Sequence, residues 1–210
     1  MKIRSKADLQ DRIDEDIAQR KKEIINLKGL LVQSKTKNQL LLAKCLVLLA
    51  YSHWEGFVKN ATRYYVMYVK FLGLSSDRYS HELRTSLIYR QITRNSDNVP
   101  NKISLLEDYL YGNRNLIIDE DKLCDTESNL NFATLRKILY NIGLRSNVFD
   151  TKEIFINEKI VGDRNKFAHG EIRPYSSNDA IEIADIVINL MDLYKTEIQN
   201  AISLESYIHP

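Results

Sequence analysis

The fold of this chain is decided by the stretch from Thr36 to Gly73, which reads TKNQLLLAKCLVLLAYSHWEGFVKNATRYYVMYVKFLG. Ser34 and Thr36 are suitable caps at the start of a helix, and Gly73 is suitable as its stop. The spacing of mostly apolar residues in between is that of one helical face: Leu42, Leu46, Leu49, His53, Phe57, Tyr64, Tyr68 and Phe71. The stretch therefore predicts one long amphipathic helix that continues to Leu72.

The segment before this helix predicts a second one of similar length. Between about Lys6 and Val32, apolar residues again recur at helical spacing among charged residues: Leu9, Ile13, Ile17, Ile24, Leu27 and Leu31. Two long helices joined by a short polar turn form an antiparallel hairpin. We therefore predict an all-α helical bundle built on long antiparallel helices.

The rest of the chain predicts shorter helices and one more long helix. The shorter helices are expected at residues 77–94, 101–111, 131–144 and 151–169. Residues 111–130 are expected to be a loop or a short strand, and a helix capped by Ser176 or Ser177 should continue to about Tyr207. With seven glycines, three prolines and no Gly/Ser-rich linker, the chain is predicted to be one domain over residues 1–210, with a helical and loop insertion at about 77–130.

The composition excludes several classes of protein. A net charge of only +2 provides no overall basic field, so any nucleic-acid binding must come from local patches. Cys45 and Cys124 are far apart and outside any metal-ligand spacing, which favours a reducing compartment and argues against a zinc site. The segment from Met1 to Asp16 has no apolar core of a secretory signal, and the apolar run from Leu40 to Tyr51 is too short to span a bilayer. We expect a cytoplasmic protein with no membrane association.

The candidate chemistry lies in RNKFAHGE, from Arg164 to Glu171. This stretch places a permanent cation, an amide and a histidine at the end of a predicted helix, which Gly170 stops. Asn165 and His169 share a helical face, whereas Arg164 lies about 140° from His169 and must curl back unless the last turn distorts. Because an imidazole can transfer protons and a guanidinium matches phosphate oxygens, this is a candidate phosphate-handling site. Cations at the negative end of a helix are also favourable without any catalytic role, which is the alternative interpretation.

His53 and Glu55 in the long helix are further candidates. His53 falls on the apolar face, so a satisfied core or interface histidine is the other interpretation. The two side chains point about 200° away from each other and cannot easily chelate one ion together with His169. We therefore expect neither a metal nor a cofactor. Gly56 weakens the helix and indicates that another helix comes close at this point.

The sequence resembles the HEPN superfamily in two places. The stretch from Arg164 to His169 is similar to the superfamily signature, in which an arginine and commonly a polar residue precede a histidine, and it stands before the final long helix as in that family. The stretch from His53 to Val58, after a charged first helix, resembles small stand-alone prokaryotic members of the nuclease and toxin branch. The predicted insertion at about 77–130 departs from the family pattern.

The resemblance implies a metal-independent endoribonuclease, often the toxin of a toxin–antitoxin or phage-defence system. Such proteins cleave RNA by attack of its own 2′-hydroxyl and use two protomers whose motifs meet in a dimer cleft. By resemblance, Arg164 would stabilise charge on the phosphate, His169 would transfer protons and Asn165 would orient the site. Glu55 is a supporting candidate for a hydrogen bond to His169 or Arg164, and His53 is a second supporting residue. The implied partners are substrate RNA, a second copy of the chain and an antitoxin protein.

A non-catalytic module is the alternative function. A HEPN-like bundle can keep its helices and its Arg/His pair for nucleotide binding or for holding a protein partner. The near-zero net charge favours this alternative slightly, because a non-specific RNA binder is normally more basic. The intact Arg164, Asn165 and His169 favour the nuclease.

Overall fold

The structure, a computed structural model, describes residues 2–95, 98–111, 116–171 and 174–209. Within these ranges there are eight α-helices and no strand, which confirms the all-α prediction. The α-helices are α1 Lys6–Gln33, α2 Thr36–Phe71, α3 His81–Asn95, α4 Val99–Leu110, α5 Glu120–Leu123, α6 Phe132–Asn141, α7 Gly162–Ala168 and α8 Ser177–Ser203. A 3-10 turn at Asp150–Lys152 and a π-helix at Phe155–Val161 precede α7.

The core lies between α1, α2 and α8, the three longest helices. Trp54 of α2 is fully buried, and its ring centroid lies 6.4 Å from that of Phe149 and 6.2 Å from that of Tyr194 of α8. The buried hydroxyls of Thr62 and Tyr194 are 2.5 Å apart, so each satisfies the other inside this core. The ion pairs Lys21–Asp192 and Lys28–Asp185 at the rim show that α1 and α8 are antiparallel, because the residue numbers rise along α1 where they fall along α8.

The junction of α1 and α2 differs from the predicted cap. Ser34 does not cap α2; its hydroxyl donates to the carbonyl of Leu31, 2.8 Å away, and so closes the end of α1. The residue before α2 is Lys35, whose side chain makes no capping hydrogen bond. Only two residues, Ser34 and Lys35, connect the helices, so each helix has one of them as its cap. Ser34 caps the end of α1, which leaves Lys35 at the start of α2. The predicted cap at the start of α8 is confirmed, because Ser176 accepts from the backbone N–H groups of Asn178 and Asp179.

Gly56 is needed for a close approach, but the approaching group is a side chain. An added Cβ at Gly56 would lie 2.5 Å from Nη1 of Arg20. Arg20 reaches across from α1 and is fixed there by Asp16, whose carboxylate oxygens accept from its Nε at 2.7 Å and its Nη2 at 3.2 Å. The glycine thus makes room for a charged group between two helices.

The helices in the middle of the chain differ in position from those that the sequence predicted. The helix expected at 77–94 begins at His81, and the segment expected to be a loop or strand contains the short helix α5. Residues 112–115 of that segment lie outside the described residues. The apolar side of α4 is exposed along its length, at Val99, Ile103, Leu106 and Leu110.

One helix has the length and composition of a membrane span. The part of α2 from Lys37 to Phe71 passes that test, although 44% of its most apolar window is buried inside the fold. The core helix of a soluble protein passes the same test, so this is weak support for a membrane segment. The location of the protein remains a prediction.

Candidate functional site

The stretch from Arg164 to Glu171, called the motif from here on, ends a helix at Gly170 as the sequence predicted. His169 is the C-cap residue of α7. Gly170 follows it with a φ of 78°, a left-handed conformation that suits glycine. The N–H of Gly170 donates to the carbonyl of Phe167 at 3.1 Å, and the N–H of Glu171 donates to that of Lys166 at 3.0 Å. This pair of bonds is the Schellman motif, which satisfies the last carbonyls of the helix and stops it.

The helix that leads into the motif is not regular. Residues Phe155–Val161 form a π-helix, and the N–H of Gly162 donates to the carbonyl of Asn157, five residues earlier. The segment predicted to be helical over 151–169 is helical, but it begins with the 3-10 turn and contains the wider π-helix before α7. The side chain of Asn157 also leaves the helix and accepts from the N–H of Phe132 at 2.9 Å, which ties α6 to the helix of the motif.

Arg164 is held by three groups, and only one of them comes from its own helix. Its Nη1 donates to Oδ1 of Asn165 at 2.7 Å, and its Nη2 donates to the carbonyl of Ser128 at 3.3 Å. Its guanidinium carbon lies 4.3 Å from the ring centroid of Tyr51 in α2, which is cation–π geometry. The guanidinium thus turns toward α2 rather than curling back along α7. Because it is only half-buried and these hydrogen bonds use two of its five N–H groups, it can still meet an anion.

A short loop, residues 125–131, connects this arginine to α2. Thr126 donates its hydroxyl to Glu55 at 2.7 Å, and the N–H of Leu130 donates to the hydroxyl of Tyr51 at 2.8 Å. Between these anchors, Glu127 and Ser128 have φ values of 56° and 54°. Two consecutive left-handed residues that are not glycine cost about 1–3 kcal/mol each, so the surrounding contacts must hold them in place. The loop adopts this shape while it presents the Ser128 carbonyl to Arg164.

Tyr51 contacts both Arg164, through its ring, and the 125–131 loop, through its hydroxyl. Burial raises the pKa of its phenol to about 12, and the nearby Glu55 carboxylate acts in the same direction, while Arg164 acts against it. The phenol therefore stays protonated at neutral pH. Tyr51 can orient Arg164 and the loop, but it is not suited to be a proton acceptor in this range.

Glu55 and His53 lie on different sides of α2, as their spacing requires. Glu55 lies at the site, where it contacts Thr126 rather than making the expected hydrogen bond to His169 or Arg164. His53 faces α1, with its Nε2 3.1 Å from Glu23 and its Nδ1 3.5 Å from Nη1 of Arg20. Burial, and next the charge of Arg20, lower the pKa of His53. The structure therefore brings Glu55 to the loop that contacts Arg164, and it places His53 on the side of α2 that faces α1.

His169 is the exposed member of the motif. Its backbone N–H donates to the carbonyl of Asn165 at 3.0 Å, so these two residues stay together at the helix end. The same end is fixed on α2 through Lys44, whose Nζ donates to the carbonyl of Glu171 at 3.0 Å and lies 5.4 Å from the ring centroid of Phe167. The imidazole is thus presented to solvent from a fixed backbone.

The residues that the sequence missed are those that come from other parts of the chain. Tyr51, Ser128 and Lys44 contact the motif, although none of them is near it in sequence. Of these three, only Tyr51 could have been suspected from the sequence, because it precedes the candidate Glu55 by one helical turn and so lies on the same face of α2.

Across the described ranges, no three His, Cys, Asp or Glu side chains are grouped as they would be to bind a metal ion.

One comparison with known proteins identifies a relationship. The sequence model of the family described as RiboL-PSP-HEPN matches residues 15–200, a range that contains both the motif and the predicted insertion. No curated protein and no solved structure matches this chain.

Proposed function

Because the chain belongs to the RiboL-PSP-HEPN family of the HEPN superfamily, we propose that it is a metal-independent endoribonuclease that acts through Arg164 and His169. The observation that carries this proposal is the end of α7, where a half-buried arginine is fixed by neighbouring groups while a histidine is exposed. A fixed cation can stabilise developing charge without reorganisation, and an accessible imidazole can reach a substrate.

The proposed chemistry needs little else from the protein. RNA supplies the nucleophile, because its 2′-hydroxyl lies next to the phosphorus that it attacks. His169 would take the proton from that hydroxyl or give one to the leaving 5′-oxygen, and Arg164 would stabilise the charge on the phosphate oxygens. The products would be a 2′,3′-cyclic phosphate and a 5′-hydroxyl. Asn165, whose Oδ1 accepts from Arg164, would act as a positioning residue.

Two protomers would complete the site. Cleavage by this route uses both an acid and a base, and each chain brings one histidine to the motif. A two-fold interface places the same surface of each protomer face to face, so it would supply two histidines and two arginines. Leu41 supports an interface near the motif, because it is 64% exposed and lies one turn before Lys44, which touches the end of α7.

Purified protein incubated with total RNA and excess chelator tests the proposed activity. We expect fragments with cyclic phosphate ends from the wild type and none from Arg164→Ala or His169→Ala, all with the same helical circular dichroism. His81→Ala, in the exposed first turn of α3, is the matched control and should cleave as the wild type does. Wild-type protein that leaves RNA intact would contradict the proposal.

The dimer and the cellular role have separate tests. Leu41→Glu should shift the sedimentation coefficient from that of a dimer to that of a monomer and remove cleavage, whereas a monomeric wild type that cleaves RNA would contradict the paired site. A toxin should inhibit growth when it is expressed alone, and His169→Ala should relieve that inhibition. Continued inhibition by the variant would separate toxicity from cleavage.

A nucleotide-binding or protein-interaction module is the second candidate. The observation that favours it is the direction of Arg164, which contacts Tyr51 and Ser128 and so contributes to holding the 125–131 loop in place. If both wild type and His169→Ala leave RNA intact but bind it equally well, this candidate is favoured.

A further inference from the structure

A large groove lies between α3 and α6, apart from the end of α7. It has a volume of about 750 Å³, which is in the size range of ligand sites, roughly 300–1,000 Å³. Gly143 brings the two helices together at one end of the groove, because its φ of 78° and its contact with the backbone of Leu83 leave no space for a Cβ. The groove is therefore built into the packing of α3 against α6.

The side chains that line the groove carry a net positive charge. Its lining includes one carboxylate, Glu82, and four cations, Arg90, Arg136, Lys137 and Arg145. The one ion pair between them, Arg145 with Glu82, is long at 3.9 Å and solvent-exposed. An exposed pair of this length contributes little to stability, so a phosphate can compete with Glu82 for Arg145. Lys137 also has a carboxylate partner, Glu127, which lies beside the groove. A chain whose net charge is only +2 thus concentrates cations at this place, as local nucleic-acid binding requires.

Aromatic rings accompany these cations. Tyr89 of α3 is 67% exposed and Tyr140 of α6 is 48% exposed, and both line the groove. Arg136 lies beside the second ring, with its guanidinium carbon 5.8 Å from the ring centroid of Tyr140 and its Nη2 donating to the Tyr140 hydroxyl at 3.3 Å. A large exposed ring next to a fixed guanidinium offers a stacking surface for a base and a donor for its phosphate.

The groove connects to the motif through two adjacent residues of the 125–131 loop. Lys137, which lines the groove, pairs with Glu127. The next residue, Ser128, accepts from Arg164. A nucleic-acid strand lying in the groove would therefore pass next to the loop that contacts Arg164.

We propose that the groove between α3 and α6 binds single-stranded RNA, with phosphates at Arg136 and Arg145 and bases stacked on Tyr89 and Tyr140. This inference deepens the proposed function, on which it rests, by assigning a substrate-binding surface outside the motif. It also gives the predicted insertion a role, because α3 belongs to that insertion and forms one wall of the groove.

Binding of a fluorescein-labelled 12-nucleotide uridine oligomer, followed by anisotropy, tests this proposal. The full chain carries His169→Ala so that the probe remains intact. Arg136→Glu and Tyr140→Ala should each weaken binding about 10-fold, and Arg136→Glu should reduce the slope of log affinity against log salt by about 0.7. Tyr89→Ala, with the most exposed ring of the groove, repeats the stacking test if Tyr140→Ala does not fold.

Two matched controls separate the groove from general effects. Lys22→Glu makes the same change of charge on the exposed side of α1, and Tyr111→Ala removes a ring just after α4 that is even more exposed than those of the groove. Both should bind within about 2-fold of the wild type, because neither residue lines the groove. Equal losses in controls and groove variants, or no loss in any of them, overturn the proposal.

The test also distinguishes this inference from the proposed activity. RNA binding that depends on the groove, in a protein that never cleaves RNA, would overturn the nuclease and leave the groove. Cleavage with an unchanged KM in Arg136→Glu would overturn the groove and leave the nuclease. If the uridine oligomer does not bind and Arg136→Glu changes the sedimentation of the protein instead, the groove is a protein interface and the proposal fails.

Discussion

Two regions on either side of α2 contain the same kinds of side chain and are built in different ways. On one side, Arg20 of α1 lies next to His53 among two carboxylates and one amide. Together they form the Arg20 cluster: Asp16, Arg20, Glu23, His53 and Asn60. On the other side, Arg164 meets Tyr51 and the 125–131 loop, with His169 nearby in sequence at the exposed end of α7. Both regions have an arginine and a histidine.

The difference between them is what the charged groups face. In the Arg20 cluster, the side chain of Arg20 is 16% exposed and that of His53 is 12% exposed, and charges of both signs meet inside the protein. At the motif, the histidine is exposed and the arginine is held by a carbonyl, an amide and a ring, none of which carries a negative charge. Because no carboxylate neutralises the guanidinium among these contacts, its positive charge is available to an anionic ligand. Residue type alone therefore does not separate a structural cluster from a candidate site.

The largest expected effect compares the two histidines. His169→Gln should lower the rate of RNA cleavage about 10²- to 10⁴-fold, because it removes the proposed proton transfer. His53→Gln should change the rate less than about 3-fold, since His53 faces α1 rather than the motif. Initial rates on a fluorogenic oligoribonucleotide measure both. A larger loss for His53→Gln would move the site to the Arg20 cluster.

The two arginines should differ in the opposite sense for stability. Arg20→Ala leaves the half-buried Asp16 with only the amide of Asn60, so we expect it to lower the free energy of unfolding by about 2 kcal/mol. Arg164→Ala loses one cation–π contact and two hydrogen bonds at a partly exposed place and should cost about 1 kcal/mol. Urea unfolding followed by circular dichroism gives both values. A reversed order would mean that Arg164 is mainly a structural residue.

A smaller effect separates the ring of Tyr51 from its hydroxyl. Tyr51→Phe keeps the ring under Arg164 but leaves the buried N–H of Leu130 without its acceptor, which should lower stability by about 1 kcal/mol and keep the cleavage rate within a few-fold. Tyr51→Leu also removes the aromatic face and should lower the rate about 10-fold. Rates are compared at temperatures where both variants are fully folded. Equal rates for the two variants would show that the ring does not position Arg164.

The smallest expected effect is the pH dependence of stability from His53. Since burial and Arg20 lower its pKa below 6.5 in the folded state, the unfolded chain binds more protons between the two pKa values. Stability should therefore fall as the pH falls from 7 through 6.5, and His53→Gln should reduce this dependence. The carboxylates whose pKa is lowered, Asp14, Asp77 and Glu120, start from ordinary values of 3.8, 3.8 and 4.5, so their contributions are lost below this window. Urea midpoints at pH 7 and pH 5.5 provide the measurement, and an unchanged slope in the variant would contradict it.

The long helices could be predicted from sequence because their periodicity is local. The bounds of α1 and α2 agree with the expected ones to within a residue or two, and Gly170 ends α7 as its position indicated. The middle of the chain was less predictable. The π-helix and α5 depend on hydrogen bonds that the spacing of apolar residues does not indicate. The role of Ser34 depended on whether α1 or α2 would use it as a cap.

The same distinction applies to the candidate site. Arg164, Asn165 and His169 could be named as candidates because they lie within six residues of each other, although their catalytic roles remain predictions. Glu55 could be named as a candidate, but its partner could not, because Thr126 belongs to a loop with two left-handed residues. Sequence spacing says which face of a helix a side chain is on, and it does not say which distant segment will cover that face.

The sequence by itself determined the helical class of this protein, the position of its motif and the residue that stops the motif's helix, since each depends on neighbours within a few turns of one helix. Only the tertiary structure decided that Arg164 lies on Tyr51 and Ser128, that His53 faces Arg20, and that the cations of α3 and α6 line one groove. These contacts join residues far apart in the chain, so they exist only once the helices have packed against each other.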